Sequence, residues 1–235
     1  MRIDKLLSDM GLATRSEARA ACKSGQVLVD GIPVKDSSSH VDPEKQNIVF
    51  RSRVISYRKY TYIMLNKPEG YVSATEDSKL PVVTELLDDE LRRMELFPVG
   101  RLDRDTTGLM ILTNNGPLAH RVLSPKHHVP KVYRFTAAEP MADGVEEKFR
   151  DGVTLADGYE CKSAVIVLDS DRMGGLITLT EGKYHQIKRM VASTHNRVMT
   201  LERISFGGIE LDTTLKRGEY RMLTESEISL LEKQN

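Results

Sequence analysis

Residues 98–116, PVGRLDRDTTGLMILTNNG, constrain the chain more than any other stretch. Four charged residues, Arg101, Asp103, Arg104 and Asp105, fall within five positions, and an unbroken apolar run, LMIL at 109–112, follows directly. That run lies between Gly108 and the turn dipeptide Asn115-Gly116, and it reads as a buried strand. The charged loop is therefore held on the lip of a core element, where catalytic groups on rigid scaffolds sit. Flanking guanidiniums favour the charged form of a carboxylate, so Asp103 is a candidate nucleophile or electrostatic stabiliser. The competing reading is a solvated turn of surface ion pairs, which is what most charge clusters are.

The rest of the chain bounds the class. At 235 residues it suits one medium domain, or one domain plus a small appendage, and 40% hydrophobic and 29% charged residues describe an ordinary globular protein. No run approaches the roughly 18 apolar residues of a membrane span. Asp4, Ser8 and Asp9 interrupt what would be a signal-peptide core. Cys22 and Cys161 lack metal-ligand spacing and read as reduced thiols, so a cytoplasmic protein is expected. Formal net charge is zero but unevenly spread. Residues 1–60 carry 11 Lys and Arg against 7 Asp and Glu, a surplus of four positive charges, while the remainder carries 23 against 27. Such asymmetry suggests that the first part meets a polyanion.

In chain order, Ile3, Leu6, Leu7 and Met10 have helical spacing over 2–11. Thr14 with Glu17 forms a capping box that opens a second helix through Lys23, and Gly25 can end it. Residues 26–34 read as a hairpin turning at Asp30-Gly31. Residues 48–50 suggest a short strand, and a linker is expected at about 51–60. Beyond it, strands are expected at 62–65, 132–137, 164–168 and 176–180. Helices are expected at 82–91, 118–123 and 145–150, from the EGKYHQIKRM stretch through Ala192, and after Thr224, whose partner Glu227 makes another capping box. Strands and helices mixed without regular alternation indicate an α+β fold with a mostly antiparallel sheet.

These motifs carry a resemblance. GRLDRDTTGL closely resembles the catalytic-aspartate motif of the pseudouridine synthases, and HRVLSPKHHVPKVY resembles their small-subunit branch. LATRSEARAACKSGQVLVDG resembles the S-four module, a small α/β RNA-binding domain shared with a ribosomal protein. The resemblance implies such a module at 1–55 and a catalytic domain at 60–235. In the module, Arg2, Lys5, Arg15, Arg19 and Lys23 would contact phosphate without reading sequence.

By the same resemblance, Asp103 is the catalytic aspartate that acts on the ribose, and Tyr133 in KVYRF stacks on the flipped base. Lys188 is the basic residue paired with the aspartate, where most of the wider superfamily has Arg. Arg101 would help hold the flipped nucleotide and Ile187 would pack under the base. NKPEG at 66–70 resembles a motif that supports the active-site loop. His185 reads as supporting, and Arg104 and Asp105 as loop-shaping or RNA-contacting. The implied function is isomerisation of a uridine to pseudouridine in 16S ribosomal RNA, with no cofactor, no metal and no membrane, by a monomer.

Three competing readings stay open on sequence. One is a two-carboxylate glycoside hydrolase using Asp103 and Asp105, although flanking arginines disfavour a protonated acid there. Another is a non-catalytic RNA-binding assembly factor. The last keeps the chemistry but moves the target to 23S rRNA.

Overall fold

The computed structural model of the protein describes residues 1–234. The chain divides into two compact units, one of Met1–Thr61 with Thr84–Phe97, the other of Tyr62–Val83 with the chain from Pro98 onward.

The first unit opens with helices α1 (Ile3–Asp9) and α2 (Arg15–Lys23). Four short strands follow: β1 (Val27–Val29), β2 (Ile32–Pro33), β3 (Ile48–Phe50) and β4 (Arg53–Val54), in sheet order β2-β1-β3-β4. The capping box forms as the sequence predicts. The Glu17 amide donates to Thr14 Oγ1 at 3.2 Å, and the Thr14 amide donates to Glu17 Oε2 at 2.6 Å. The hairpin turns through Asp30 and Gly31, both at positive φ (52° and 81°), a conformation that Asp and Gly tolerate and bulkier residues resist. Ile3, Leu6, Leu7, Ala18, Cys22, Val27 and Phe50 close the small core.

The helix expected over 82–91 is not continuous. A 3-10 turn, Val83–Leu86, is followed by a separate one-turn helix, α3 (Asp89–Arg92). Asp88 makes the break, because its carboxylate accepts a hydrogen bond from the Leu91 amide at 2.9 Å and so caps a new helix start.

The second unit is built on one large sheet. Its strands are β5 (Tyr62–Lys67), β7 (Thr107–Thr113), β8 (Lys131–Ala137), β9 (Val165–Leu168), β10 (Gly174–Leu179), β11 (Val198–Phe206) and β13 (Tyr220–Met222), in the order β13-β5-β7-β11-β8-β10-β9. Two-residue strands β6 (Phe97–Pro98) and β12 (Ile209–Glu210) complete it. The helices are α4 (Gly116–Leu123), α5 (Val145–Asp151), α6 (Gln186–Ala192) and α7 (Glu225–Glu232). Along that seven-strand path pairing is antiparallel except where β7 runs parallel to β11. All six residues of β5 are buried, and Leu109, Met110, Ile111 and Leu112 of β7 are at most 1% exposed, so this pair is the centre of the core. Each such side chain stabilises the fold by about 1.5–3 kcal/mol at most.

Gly108 is required where β7 meets β11. Its φ is +98°, and a Cβ there would lie 2.3 Å from the Arg203 carbonyl oxygen. The close approach sets the start of β7, and with it the charged loop, against Glu202 and Arg203.

A charge knot ties strand β13 to α7. Arg221 donates to Asp212 Oδ2 at 2.7 Å and to both oxygens of Glu227 at 2.8 Å. Hydrogen bonds from Thr214 and Arg221 hold the Asp212 carboxyl down at about 2, and the bond from Arg221 takes Glu227 down to about 2. A carboxylate with a depressed folded-state pKa adds stability above its unfolded value and loses it as pH falls through the folded one. Wild type should therefore lose stability between about pH 4.5 and 2, where these two groups take up protons. Arg221→Met should be less stable at neutral pH, and its deficit should shrink across that window. Urea titrations at a series of pH values measure this, and a deficit that does not vary with pH would contradict it.

Candidate active site

The loop at 101–106 is anchored from below by Lys67, at the end of β5. This lysine is fully buried, and its ammonium donates to the carbonyl oxygens of Pro68 (3.1 Å), Asp103 (3.1 Å), Arg104 (3.3 Å) and Thr106 (2.8 Å). Burial pulls its pKa down to about 8, against the pull of Asp105 and Asp103. Ser73 adds a reciprocal pair with the Leu102 backbone at 2.8 and 3.0 Å, and the Gly70 amide donates to the Arg104 carbonyl at 2.9 Å. The loop is thus fixed through its backbone, leaving its carboxylates free to face α6.

Lys188 meets them there. Its Nζ lies 3.1 Å from Asp103 Oδ2 and 2.5 Å from Asp105 Oδ1, so one cation bridges two carboxylates. Burial alone would lower the Lys188 pKa, but hydrogen bonds to Asp105 and Asp103 outweigh it and the net shift is upward. Burial likewise opposes ionisation of Asp105, yet the Lys188 contact holds its carboxyl below the usual range. His185 Nε2 approaches Asp103 Oδ1 at 3.6 Å, and its ring stacks on Tyr184 with centroids 3.8 Å apart.

The start of α6 is fixed by a buried polar cluster. His185 sits at φ 49°, so the helix begins at Gln186 rather than earlier in the EGKYHQIKRM stretch. Glu181 accepts hydrogen bonds from Gln186 Nε2 (2.5 Å), Tyr159 OH (2.8 Å) and the Lys162 amide (2.9 Å). Gln186 Oε1 in turn accepts from the Lys183 amide at 2.9 Å. This network sets the register that points Lys188 at the loop.

A cavity of about 800 Å³ opens in front of these groups, a size that suits a small ligand. Its walls include Arg101, Asp103, Tyr133, Ile187 and Lys188, so all five residues that sequence assigned to chemistry and substrate binding line one space. Tyr133 and Ile187 are buried, whereas Arg101 is exposed at the rim. The ion-pair partner of Asp103 in the structure is Lys188, the residue that the family resemblance named, from a helix 85 positions on. One sequence expectation changes. Asp105, read as loop-shaping or RNA-contacting, is the second acceptor of that lysine. Sequence reasoning also missed Lys131, Thr106 and Arg203, which line the same cavity. The one available signal was Lys131 at i−2 from Tyr133, which on a strand is the same face.

In the N-terminal unit, Arg15, Arg19 and Lys23 are exposed and spaced four apart along α2, forming one stripe. Arg2 and Lys5 are committed differently: Arg2 pairs with Asp4 at 2.6 Å and Lys5 with Asp9 at 2.7 Å. Among the described residues no helix is long and apolar enough to cross a membrane, and no group of three or more His, Cys, Asp or Glu side chains could hold a metal ion.

Both parts of the chain have counterparts among known proteins. The family model of RNA pseudouridylate synthases matches residues 61–193, and that of the S4 domain matches residues 1–47. The chain belongs to the RNA pseudouridylate synthase family, and it is an RNA-modifying isomerase with an S4 domain. Among its relatives is the RNA pseudouridine synthase YtzG of Bacillus subtilis, 45% identical over 234 residues and 98% of each chain. Ribosomal small subunit pseudouridine synthase A of Vibrio vulnificus is 42% identical, over 97% of this chain and 98% of its own. The same enzyme of Escherichia coli K12 is 38% identical, over 97% and 99%. A crystal structure of a pseudouridylate synthase superposes with a TM-score of 0.70 at 36% identity, covering 98% of this chain and 99% of the other.

Proposed function

We propose that this enzyme converts one uridine of small-subunit (16S) ribosomal RNA to pseudouridine, working as a monomer and without a cofactor. The observation that carries the reading is the 3.1 Å pair of Lys188 with Asp103, set in a cavity that also holds Tyr133. The full-length likeness to two small-subunit synthases supports the choice of target.

The isomerisation adds and removes no atoms overall. The bond from C1′ of ribose to N1 of uracil breaks, the base turns, C5 joins C1′, and the C5 proton is exchanged for one at N1. Asp103 acts on the ribose, either by attack at C1′ or by assisting formation of a glycal. Lys188 keeps that carboxylate charged and aimed. Tyr133 stacks on the base, which reaches the cavity by leaving its helix, and Ile187 packs beneath it. Arg101, at the exposed rim, holds the flipped nucleotide by charge. The purified enzyme should release tritium from RNA carrying 5-tritiated uridine, faster from 16S than from 23S transcripts or subunits. A preference for 23S would move the target to the large subunit, and no release from either would overturn the reading.

The α2 stripe docks the RNA in this account. Neutralising Arg15, Arg19 and Lys23 together should lower affinity and flatten the plot of log affinity against log salt by about 2–3, since each lost phosphate contact removes about 0.7–0.9. Filter binding from 50 to 300 mM salt measures the slope, and an unchanged slope would exclude this face. Arg2 and Lys5, paired with their own carboxylates, should matter less.

A further inference from the structure

The inner wall of the cavity is one face of the sheet, and it carries two cations that the reaction as described leaves unused. Lys131 and Tyr133 alternate along β8 and so share a face. Across the ladder, Arg203 pairs with Tyr133 and Phe206 with Lys131. A register shift at Ile204 lets Phe206, three residues on, return to the face of Arg203. The same wall includes Leu179 and Leu201. It is therefore a largely apolar surface with an ammonium and a guanidinium set into it.

Both cations lie against the Phe206 ring, Lys131 Nζ at 5.6 Å and the Arg203 guanidinium at 5.3 Å from its centroid. Neither has a carboxylate partner among the described residues. Lys131 donates to the Val129 carbonyl at 2.8 Å. Arg203, 1% exposed, donates Nε–H to the Leu109 carbonyl at 2.8 Å and reaches Met110 Sδ at 3.9 Å. Burial, reinforced by repulsion from Arg203, brings the Lys131 pKa down to about 8, and Glu181 only partly opposes this. Glu181 cannot come closer without abandoning its own three donors. Thr106 Oγ1, in the lining of the same cavity, is buried and has no hydrogen-bond partner. Two neighbouring cations, Arg203 buried and Lys131 half-buried, are costly without a counter-ion unless an anion completes them.

We propose that Lys131 and Arg203 form a base-anion subsite, receiving on the carbonyl oxygens of uracil the charge left when the glycosidic bond breaks. The inference rests on the uridine-isomerising reading. When the C1′–N1 bond breaks, its electron pair stays with the base and spreads over N1, O2 and O4. Donors fixed where charge develops lower the barrier to that step. The largely apolar wall of Tyr133, Leu179, Leu201 and Phe206 favours a pyrimidine ring over a tetrahedral phosphate, since beyond the two cations it offers only the hydroxyls of Tyr133 and Thr106 to further oxygens. Lys131 and Arg203 are thus catalytic residues, acting on the base while Asp103 acts on the sugar.

Two measurements on the full-length protein test this. In single-turnover conversion of target RNA, Lys131→Met should be slower by about tenfold to a thousandfold, with RNA affinity unchanged. Lys131→Arg should keep most of the rate, which separates charge from packing. In calorimetric titration with free bases, wild type should bind 5-nitrouracil, an anion at neutral pH, at least about tenfold more tightly than neutral uracil. Lys131→Met should lose that preference. Equal rates for wild type and Lys131→Met, or equal affinity of wild type for the two bases, would overturn the subsite. Displacement of 5-nitrouracil by equimolar inorganic phosphate would overturn it too, in favour of a phosphate site. A wild type inactive on every rRNA would refute the functional reading instead, and the base titration would still judge the subsite.

Discussion

Asp103→Asn should lose at least about a thousandfold in single-turnover rate, about 4 kcal/mol of transition-state stabilisation at 1.4 kcal/mol per tenfold. RNA affinity should stay within about twofold, because the amide keeps the shape of the side chain and the phosphate contacts lie elsewhere. The fold should tolerate the change for a reason visible in the site. Lys188 retains Asp105 at 2.5 Å, so removing one carboxylate does not strand a half-buried cation. The backbone of the loop is held by Lys67 and Ser73, neither of which touches the Asp103 side chain. Single-turnover conversion with enzyme in excess, alongside equilibrium binding, separates the two effects. Appreciable turnover by the purified Asn variant would remove Asp103 from the chemistry.

Lys188→Met is expected to cost about a hundredfold in the same assay. A fully buried pair loses about 3–5 kcal/mol when one partner goes, but both Lys188 and Asp103 are about a quarter exposed, so solvent screens part of the loss. The variant leaves Asp103 and Asp105 facing each other without their shared cation. Lys188→Arg keeps the charge and should stay within about tenfold of wild type, although a planar fork cannot bridge the two carboxylates as a point charge does. Asp105→Asn should be the mildest of the three, since Lys188 then belongs to Asp103 alone. A lysine that contacted phosphate instead would weaken binding and leave the single-turnover rate at saturation unchanged.

The parts of this site that sequence revealed are those governed by local rules. The LMIL run lies within β7, Asp30-Gly31 makes its turn, and Thr14–Glu17 and Thr224–Glu227 both close capping boxes. Each depends on residues within a few positions of one another. Non-local features were not legible. The flanking arginines suggested a local cation for Asp103, and only the family resemblance, not any spacing rule, pointed to Lys188, 85 positions on in α6. The 82–91 segment has helical spacing, yet Asp88 hydrogen-bonds forward and restarts the helix. Lys131 and Arg203 become neighbours only through the pairing of β8 with β11, 72 positions apart. The parallel contact of β7 with β11, which brings Gly108 against Arg203, likewise has no signature in periodicity.

The central claim, that Asp103 of this chain makes pseudouridine in small-subunit RNA, is tested most directly in cells. Pseudouridine in 16S and 23S rRNA is mapped by reverse-transcription stops after carbodiimide treatment. Three strains are compared: one with the protein, one without it, and one carrying only the Asp103→Asn form. One stop in 16S rRNA should be present in the first and absent from the other two. An unchanged 16S map in the strain without the protein, or a stop restored by the Asn form, would contradict the account.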